Sequence, residues 1–140
     1  NQLTFAEPPA HSVGDLIRKR GERKLVTISP DATAEQAIHL LEATGISQLP
    51  VISADGKPVG SVQEVTLARL LHDRKDPRAV KIGDVMARPL PTLDVHTHLD
   101  EAYRLLLAGY TGVLATEKDA VVDIITRIDL IHYWDSGRER

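Results

Sequence analysis

A chain of 140 residues buries one compact core, or two small halves that share one, and its 42% hydrophobic content is ordinary for a globular protein. Its net charge of −3 gives no reason to expect nucleic acid or an anionic membrane as partner, and no apolar run is long enough to span a bilayer. The absence of cysteine excludes disulfides, thiolate catalysis and Cys-based zinc sites, and fits a cytoplasmic protein.

The chain starts Asn1-Gln2-Leu3 without Met and with no leader pattern, so it reads as a piece of a longer protein. Residues 1–12, with Pro8 and Pro9, read as a linker or arm. Val13 to Arg20 predicts a short helix or turn, followed by a basic connector through Gly21. Leu25 to Ile28 predicts a short strand closed by Ser29-Pro30-Asp31. Thr33 with Gln36 forms a capping box for a helix through Thr44, and Gly45 is placed to end it. Gln48 to Ser53 and Pro58 to Val62 predict a hairpin turning at Asp55-Gly56. Glu64 to His72 predicts a helix, and Asp73 to Pro77 a polar hinge.

The same order then returns. Pro91-Thr92-Leu93 predicts a strand and Leu99 to Ala108 a helix ended by Gly109. Gly112 to Thr116 and Ala120 to Ile125 predict two strands, and Ile128 to Trp134 a last helix with Tyr133 and Trp134 as packing anchors. Residues 137–140 read as a fraying end. Val13-Gly14-Asp15-Leu16-Ile17 recurs as Ile82-Gly83-Asp84-Val85-Met86, and Ala34, Ala37, Ile38 and Leu41 fall on Leu99, Ala102, Tyr103 and Leu106 at i, i+3, i+4, i+7 spacing. The register between copies changes only in predicted loops, which points to true duplication. The expected fold is therefore mixed α/β (α+β), two β-α-β-β-α repeats: residues 13–73 and 74–135, with a flexible tail at 136–140.

Gly45-Ile46-Ser47-Gln48-Leu49-Pro50-Val51 followed by a hairpin, and Val122 to Leu130, resemble CBS domains, here two in tandem, called a Bateman module. The resemblance covers roughly residues 13–135 and implies a pseudo-twofold pair that dimerises further. It also implies clefts between copies that take an adenosyl ligand: S-adenosylmethionine, AMP or ATP. The lead-in Ser12 to Ile17 and the ending Ile124 to Tyr133 are similar to the C-terminal regulatory region of cystathionine β-synthase. That parentage implies pyridoxal phosphate in a separate catalytic domain and no cofactor in this chain. Transporters, IMP dehydrogenases and stand-alone modules are the other parents the resemblance allows.

Thr126-Arg127-Ile128-Asp129 is the sharpest chemical signal. A Thr between the last strand and helix presents its amide and hydroxyl at a helix start, and a carboxylate three residues on can accept both hydroxyls of a ribose. The same four residues also read as a simple helix cap. The resemblance assigns Thr126 and Asp129 to ribose and phosphate, and Lys24, Leu25, Ile46, Ser47, Gln48 and Leu49 to the opposite wall; the aliphatic side chains of Ile46, Ile124 and Ile128 can sandwich an adenine, and Ile46 and Leu49 also read as plain core. The first copy has Gln63 and Thr66 where the second has Thr126 and Asp129, so the second cleft, lined by Val62, Thr66, Leu90, Thr111 and Gly112, is expected to be the weaker. Asp123 replaces a glycine common in the family, and is expected to narrow the cleft or repel a polyphosphate.

Other clusters read more plainly. His96-Thr97-His98 is expected to cap a helix rather than hold a metal. Arg18-Lys19-Arg20 with Arg23-Lys24 reads as a solvated connector, or as a contact for a ligand carboxylate or an acidic partner domain. With no nucleophile elbow, metal cluster or phosphate loop, the chain is expected to regulate rather than catalyse. A ligand-free structural or oligomerisation module is the competing expectation.

Overall fold

The computed structural model describes residues 11–21 and 23–138. The elements in chain order are α1 (Val13–Arg20), α2 (Ala34–Thr44), β1 (Gln48–Ile52), β2 (Pro58–Gln63), α3 (Glu64–His72), α4 (Ile82–Val85), β3 (Thr92–Asp94), α5 (Leu99–Leu107), β4 (Val113–Glu117), β5 (Ala120–Ile125) and α6 (Arg127–Arg138). They form two compact units: residues 1–23 with 91–140, and residues 24–90. The arm expected at residues 1–12 falls largely outside the described residues, as do residues 139 and 140.

In unit one, β3 runs parallel to β4 and β4 antiparallel to β5. Leu99, Ala102 and Leu106 of α5 meet Val113, Ala115 and Ile125 of the sheet, Leu130 of α6, and Val13 and Leu16 of α1 in one core. Unit two is built alike. β1 and β2 form an antiparallel hairpin, and Ala34, Ala37, Leu49, Val51, Val62, Leu67 and Leu70 close its core with Ile28 and Ile82.

Each unit completes itself with the lead-in segment of the other sequence copy. In unit one the Val13 and Gly14 amides donate to Thr97 O (2.9 Å) and Val95 O (2.8 Å). In unit two the Ile82 and Gly83 amides donate to Ala32 O (2.8 Å) and Pro30 O (2.9 Å). Both glycines sit where the backbone comes close: a Cβ on Gly14 would lie 3.1 Å from Val95 O, and one on Gly83 would lie 3.2 Å from Pro30 O, so a side chain there would push its neighbour back by a few tenths of an ångström. The recurring Val/Ile-Gly-Asp motif is thus a backbone docking device, used twice.

The capping expectations match the structure. Thr33 and Gln36 form the capping box of α2, and Gly45 ends it at φ 72°. His98 caps α5 by accepting the Asp100 amide on Nδ1 at 3.0 Å. Two expectations need correcting. Leu25 to Ile28 forms no strand beyond a single parallel bridge from Ile28 to Val51, because its main chain pairs only through Ile28 N to Pro50 O and Ile52 N to Ile28 O. The last helix runs on to Arg138, and Trp134 on it is 58% exposed rather than a packing anchor. Tyr133 is the residue that packs against the unit-one core, its hydroxyl 2.6 Å from His11 Nδ1.

Two features of the local chemistry carry predictions. The β4–β5 turn holds Lys118 and Asp119 at φ 51° and 66°, a left-handed pair that Asn-Gly adopts with least strain. Lys118→Asn with Asp119→Gly is expected to raise stability by about 1 kcal/mol, read as a higher Tm. At the start of α1 the Ser12 amide donates to Asp15 (2.9 Å) and, with Arg18, holds the Asp15 carboxyl below its ordinary value. The Ser53 hydroxyl does the same for Asp55, the Arg78 amide for Asp76, the His96 amide for Asp94 and the Arg104 guanidinium for Glu101. A depressed folded value means stability that is complete above the unfolded value and lost as pH falls through the folded one. Tm should therefore drop on acidification below about pH 4, and less steeply in Asp15→Asn.

Candidate functional site

The turn from β5 into α6 is where the sharpest sequence signal falls. Thr126 donates from its amide (2.9 Å) and its hydroxyl (3.3 Å) to Asp129 Oδ2, and the Asp129 amide returns a bond to Thr126 O at 3.0 Å. The local geometry is therefore a helix cap closed by a carboxylate. It is also more than a cap, because the Asp129 side chain is only 3% exposed and meets two guanidinium groups.

Those groups come from α1 and the residues after it. Arg20 places Nη1 3.2 Å from Asp129 Oδ2 and Nη2 against Asp123, and reaches Ile124 O at 3.3 Å. Arg23 places Nη2 3.1 Å from both Asp129 Oδ2 and Ile124 O, with Nε 3.9 Å from Asp123 Oδ1. Asp123 also accepts the Ile124 amide at 2.7 Å. Two carboxylates and two guanidiniums form a charge-balanced cluster in unit one. Arg20 is 14% exposed and Arg23 47%, so one cation is packed in and the other faces water on one side.

This arrangement corrects two expectations. The basic stretch is not a merely solvated connector: Arg20 and Arg23 are spoken for inside unit one. Nor does Asp123 stand as a bare charge that would repel a polyphosphate, since Arg20 meets it. The signal for both was in the sequence, as five basic residues between 18 and 24 and two acids flanking a strand end, but pairing across about a hundred residues leaves no local pattern.

Within unit one, Ile124 is half-buried beside the cluster, whereas Ile128 faces outward at 52% exposure. Thr111 is half-buried and Gly112 buried. Within unit two, Leu49 and Val62 are fully buried core residues and Leu90 is buried at 7%. Lys24 and Ser47 are exposed, and Leu25, Ile46, Gln48 and Thr66 are half-buried. Ile46 lines a shallow groove of about 410 Å³ with Ile38, Leu41 and Leu71. The unit-two counterpart of the Thr126 turn is different: Gln63 precedes α3 as its N-cap residue and its side chain does not cap the helix. Among the described residues, no three His, Asp or Glu converge as a metal site, and no helix is long and apolar enough to cross a membrane.

Two units, each an antiparallel hairpin with flanking helices and a glycine-docked lead-in, one of them with a parallel strand besides, define a tandem repeat protein. The family model of the CBS domain matches residues 13–73 and 82–136, and the chain belongs to that family as a CBS-domain pair. The chain is 30% identical over 125 residues to cystathionine β-synthase of Dictyostelium discoideum, covering 84% of this chain and 24% of that enzyme. It is 27% identical over 130 residues to the inosine-5′-monophosphate dehydrogenase of Methanocaldococcus jannaschii, covering 89% of this chain and 25% of that enzyme. It thus spans about a quarter of the length of either.

Among solved structures, a putative acetoin utilization protein (AcuB) from Vibrio cholerae superposes with a TM-score of 0.78 at 23% identity, over 94% of this chain and 95% of that one. CBSX2, solved in complex with AMP, gives 0.74 at 24%, over 93% and 99%. The CBS-domain pair of protein MJ0100, solved with 5′-methylthioadenosine and S-adenosyl-L-methionine, gives 0.73 at 22%, over 92% and 99%. At these identities the likeness is one of fold.

Proposed function

We propose that this CBS pair is a regulatory sensor that takes a ribose-bearing adenosyl ligand at the Thr126–Asp129 turn and so controls an attached domain. The observation that carries this reading is the Asp129 carboxylate, 3% exposed at a strand-to-helix turn, with one of its cationic partners half in water. A carboxylate there can accept a ribose diol, and the start of a 12-residue helix favours an anionic group beside it. The complexes of CBSX2 with AMP and of MJ0100 with S-adenosylmethionine and 5′-methylthioadenosine support the ligand class. Residues Thr126, Asp129, Ile124 and Ile128 form the proposed ribose and adenine side. Lys24, Leu25, Ile46, Ser47, Gln48 and Leu49 are proposed as further ligand contacts, and Val62, Thr66, Leu90, Thr111 and Gly112 for weaker secondary binding. This second binding is proposed as the weaker because Thr66 carries no carboxylate where the other copy has Asp129.

The attached domain we propose is a pyridoxal-phosphate cystathionine β-synthase, with the Dictyostelium relative in support and an IMP dehydrogenase as the alternative parent. The module is proposed to act in the cytoplasm as a homodimer. A second reading, a ligand-free structural module, is favoured by one observation: Asp129 Oδ2 already receives Thr126, Arg20 and Arg23. Titration calorimetry with S-adenosylmethionine, AMP and ATP decides between them. Saturable heat with a raised Tm is expected for at least one; silence from all three at millimolar concentration rejects the sensor reading for these ligands.

A further inference from the structure

We propose that Arg23 is a built-in competitor for the ligand, a latch that occupies the Asp129 acceptor until a ribose displaces it; this rests on the sensor reading above. Asp129 Oδ2 alone faces four donors: the Thr126 amide at 2.9 Å, the Thr126 hydroxyl at 3.3 Å, Arg23 Nη2 at 3.1 Å and Arg20 Nη1 at 3.2 Å. A carboxylate oxygen has two lone pairs, so the atom is oversubscribed. The donors differ in how easily they leave. Thr126 is fixed by the chain, and Arg20, 14% exposed, stays tied to Asp123. Arg23 is 47% exposed and can trade its bonds to Asp129 and Ile124 O for water.

Release of Arg23 leaves two carboxylates facing one guanidinium, so the cluster gains a net negative charge and regains an acceptor for a diol. The freed guanidinium stays tethered within a side chain's length of the site. There it can meet a phosphate or carboxylate on the same ligand, with the bidentate geometry that suits it. The ligand favoured is therefore a nucleoside that also carries an anion, and a neutral nucleoside must open the latch without that return. Lys24, the next residue, is the first of unit two, so the latch sits at the point where the chain leaves one unit for the other.

Calorimetry on the wild-type chain and on Arg23→Gln, with adenosine and AMP as probes, tests this. If the closed latch holds about nine molecules in ten, its removal raises adenosine affinity about tenfold and narrows the preference for AMP over adenosine. Raising salt should strengthen adenosine binding to the wild type, by screening the half-exposed pair, and leave Arg23→Gln unchanged. Wild-type binding with equal or weaker adenosine affinity in Arg23→Gln overturns the latch and leaves the sensor reading standing. No binding of either probe by either chain overturns both. A circular dichroism melt of Arg23→Gln within a few degrees of wild type verifies that the fold is intact.

Discussion

Asp129→Ala is expected to cost about 3–5 kcal/mol of stability, well beyond the ~1 kcal/mol that loss of a helix cap alone would remove. The difference lies in what stays behind. Removing the carboxylate strips Arg20 of one of two buried partners and leaves its guanidinium, 14% exposed, sharing Asp123 with Arg23. Arg20 Nε is already buried with no partner, so this side chain starts one hydrogen bond short and keeps only Asp123 and the Ile124 carbonyl. Urea melts of Asp129→Ala, Arg20→Ala and the double variant measure it. The double variant should cost less than the sum of the single ones, because the residues form one network. Strict additivity, or a loss near 1 kcal/mol for Asp129→Ala, would mean that the cluster is held too loosely to matter. The same reasoning makes Asp129→Ala a blunt probe of ligand binding, and Arg23→Gln the sharper one.

Leu16→Ala should cost about 3 kcal/mol, within the 2–5 kcal/mol span for a fully buried leucine. Leu16 has no exposed surface and packs in the unit-one core with Val95, Leu99 and Leu106. It is also the largest fully buried side chain of the helix that carries Arg20. Its sequence counterpart in the second lead-in, Val85, is only partly buried, and Val85→Ala should cost distinctly less, about 1 kcal/mol. A Leu16→Ala loss no larger than that of Val85→Ala, in urea melts of the two variants, would contradict the packing described here.

Local grammar was legible in the sequence wherever a residue's partner lay within a few positions. The Thr33–Gln36 box, the left-handed Gly45 and the paired hairpins needed only their own neighbourhoods. The duplication was legible for the same reason, since each copy repeats its own short-range pattern. Leu25 to Ile28 looked like a strand because its composition is that of one, yet pairing is settled by the distant Pro50 carbonyl, which accepts from Ile28 N, and Ile52 amide, which donates to Ile28 O. Trp134 looked like a packing anchor of the last helix because large aromatics bury much of their surface on average. Of the site, Thr126 and Asp129 could be singled out because they sit three apart; Arg20 and Arg23 could not be matched to Asp123 and Asp129, because nothing local links positions so far apart.

The exchange of lead-in segments sets an order of assembly. Unit two is one continuous stretch, residues 24–90, so both of its docked segments, Pro30 to Ala32 and Ile82 to Gly83, have been made by Leu90. Unit one must wait for its far half, closing a span of some eighty residues between Val13 and Thr97 before the first helix finds its seat. A chain cut at the boundary of the sequence copies, after residue 73, strands a lead-in on each side and leaves neither half whole. A chain ending at Leu90 keeps both segments of the unit-two docking, Pro30 to Ala32 and Ile82 to Gly83.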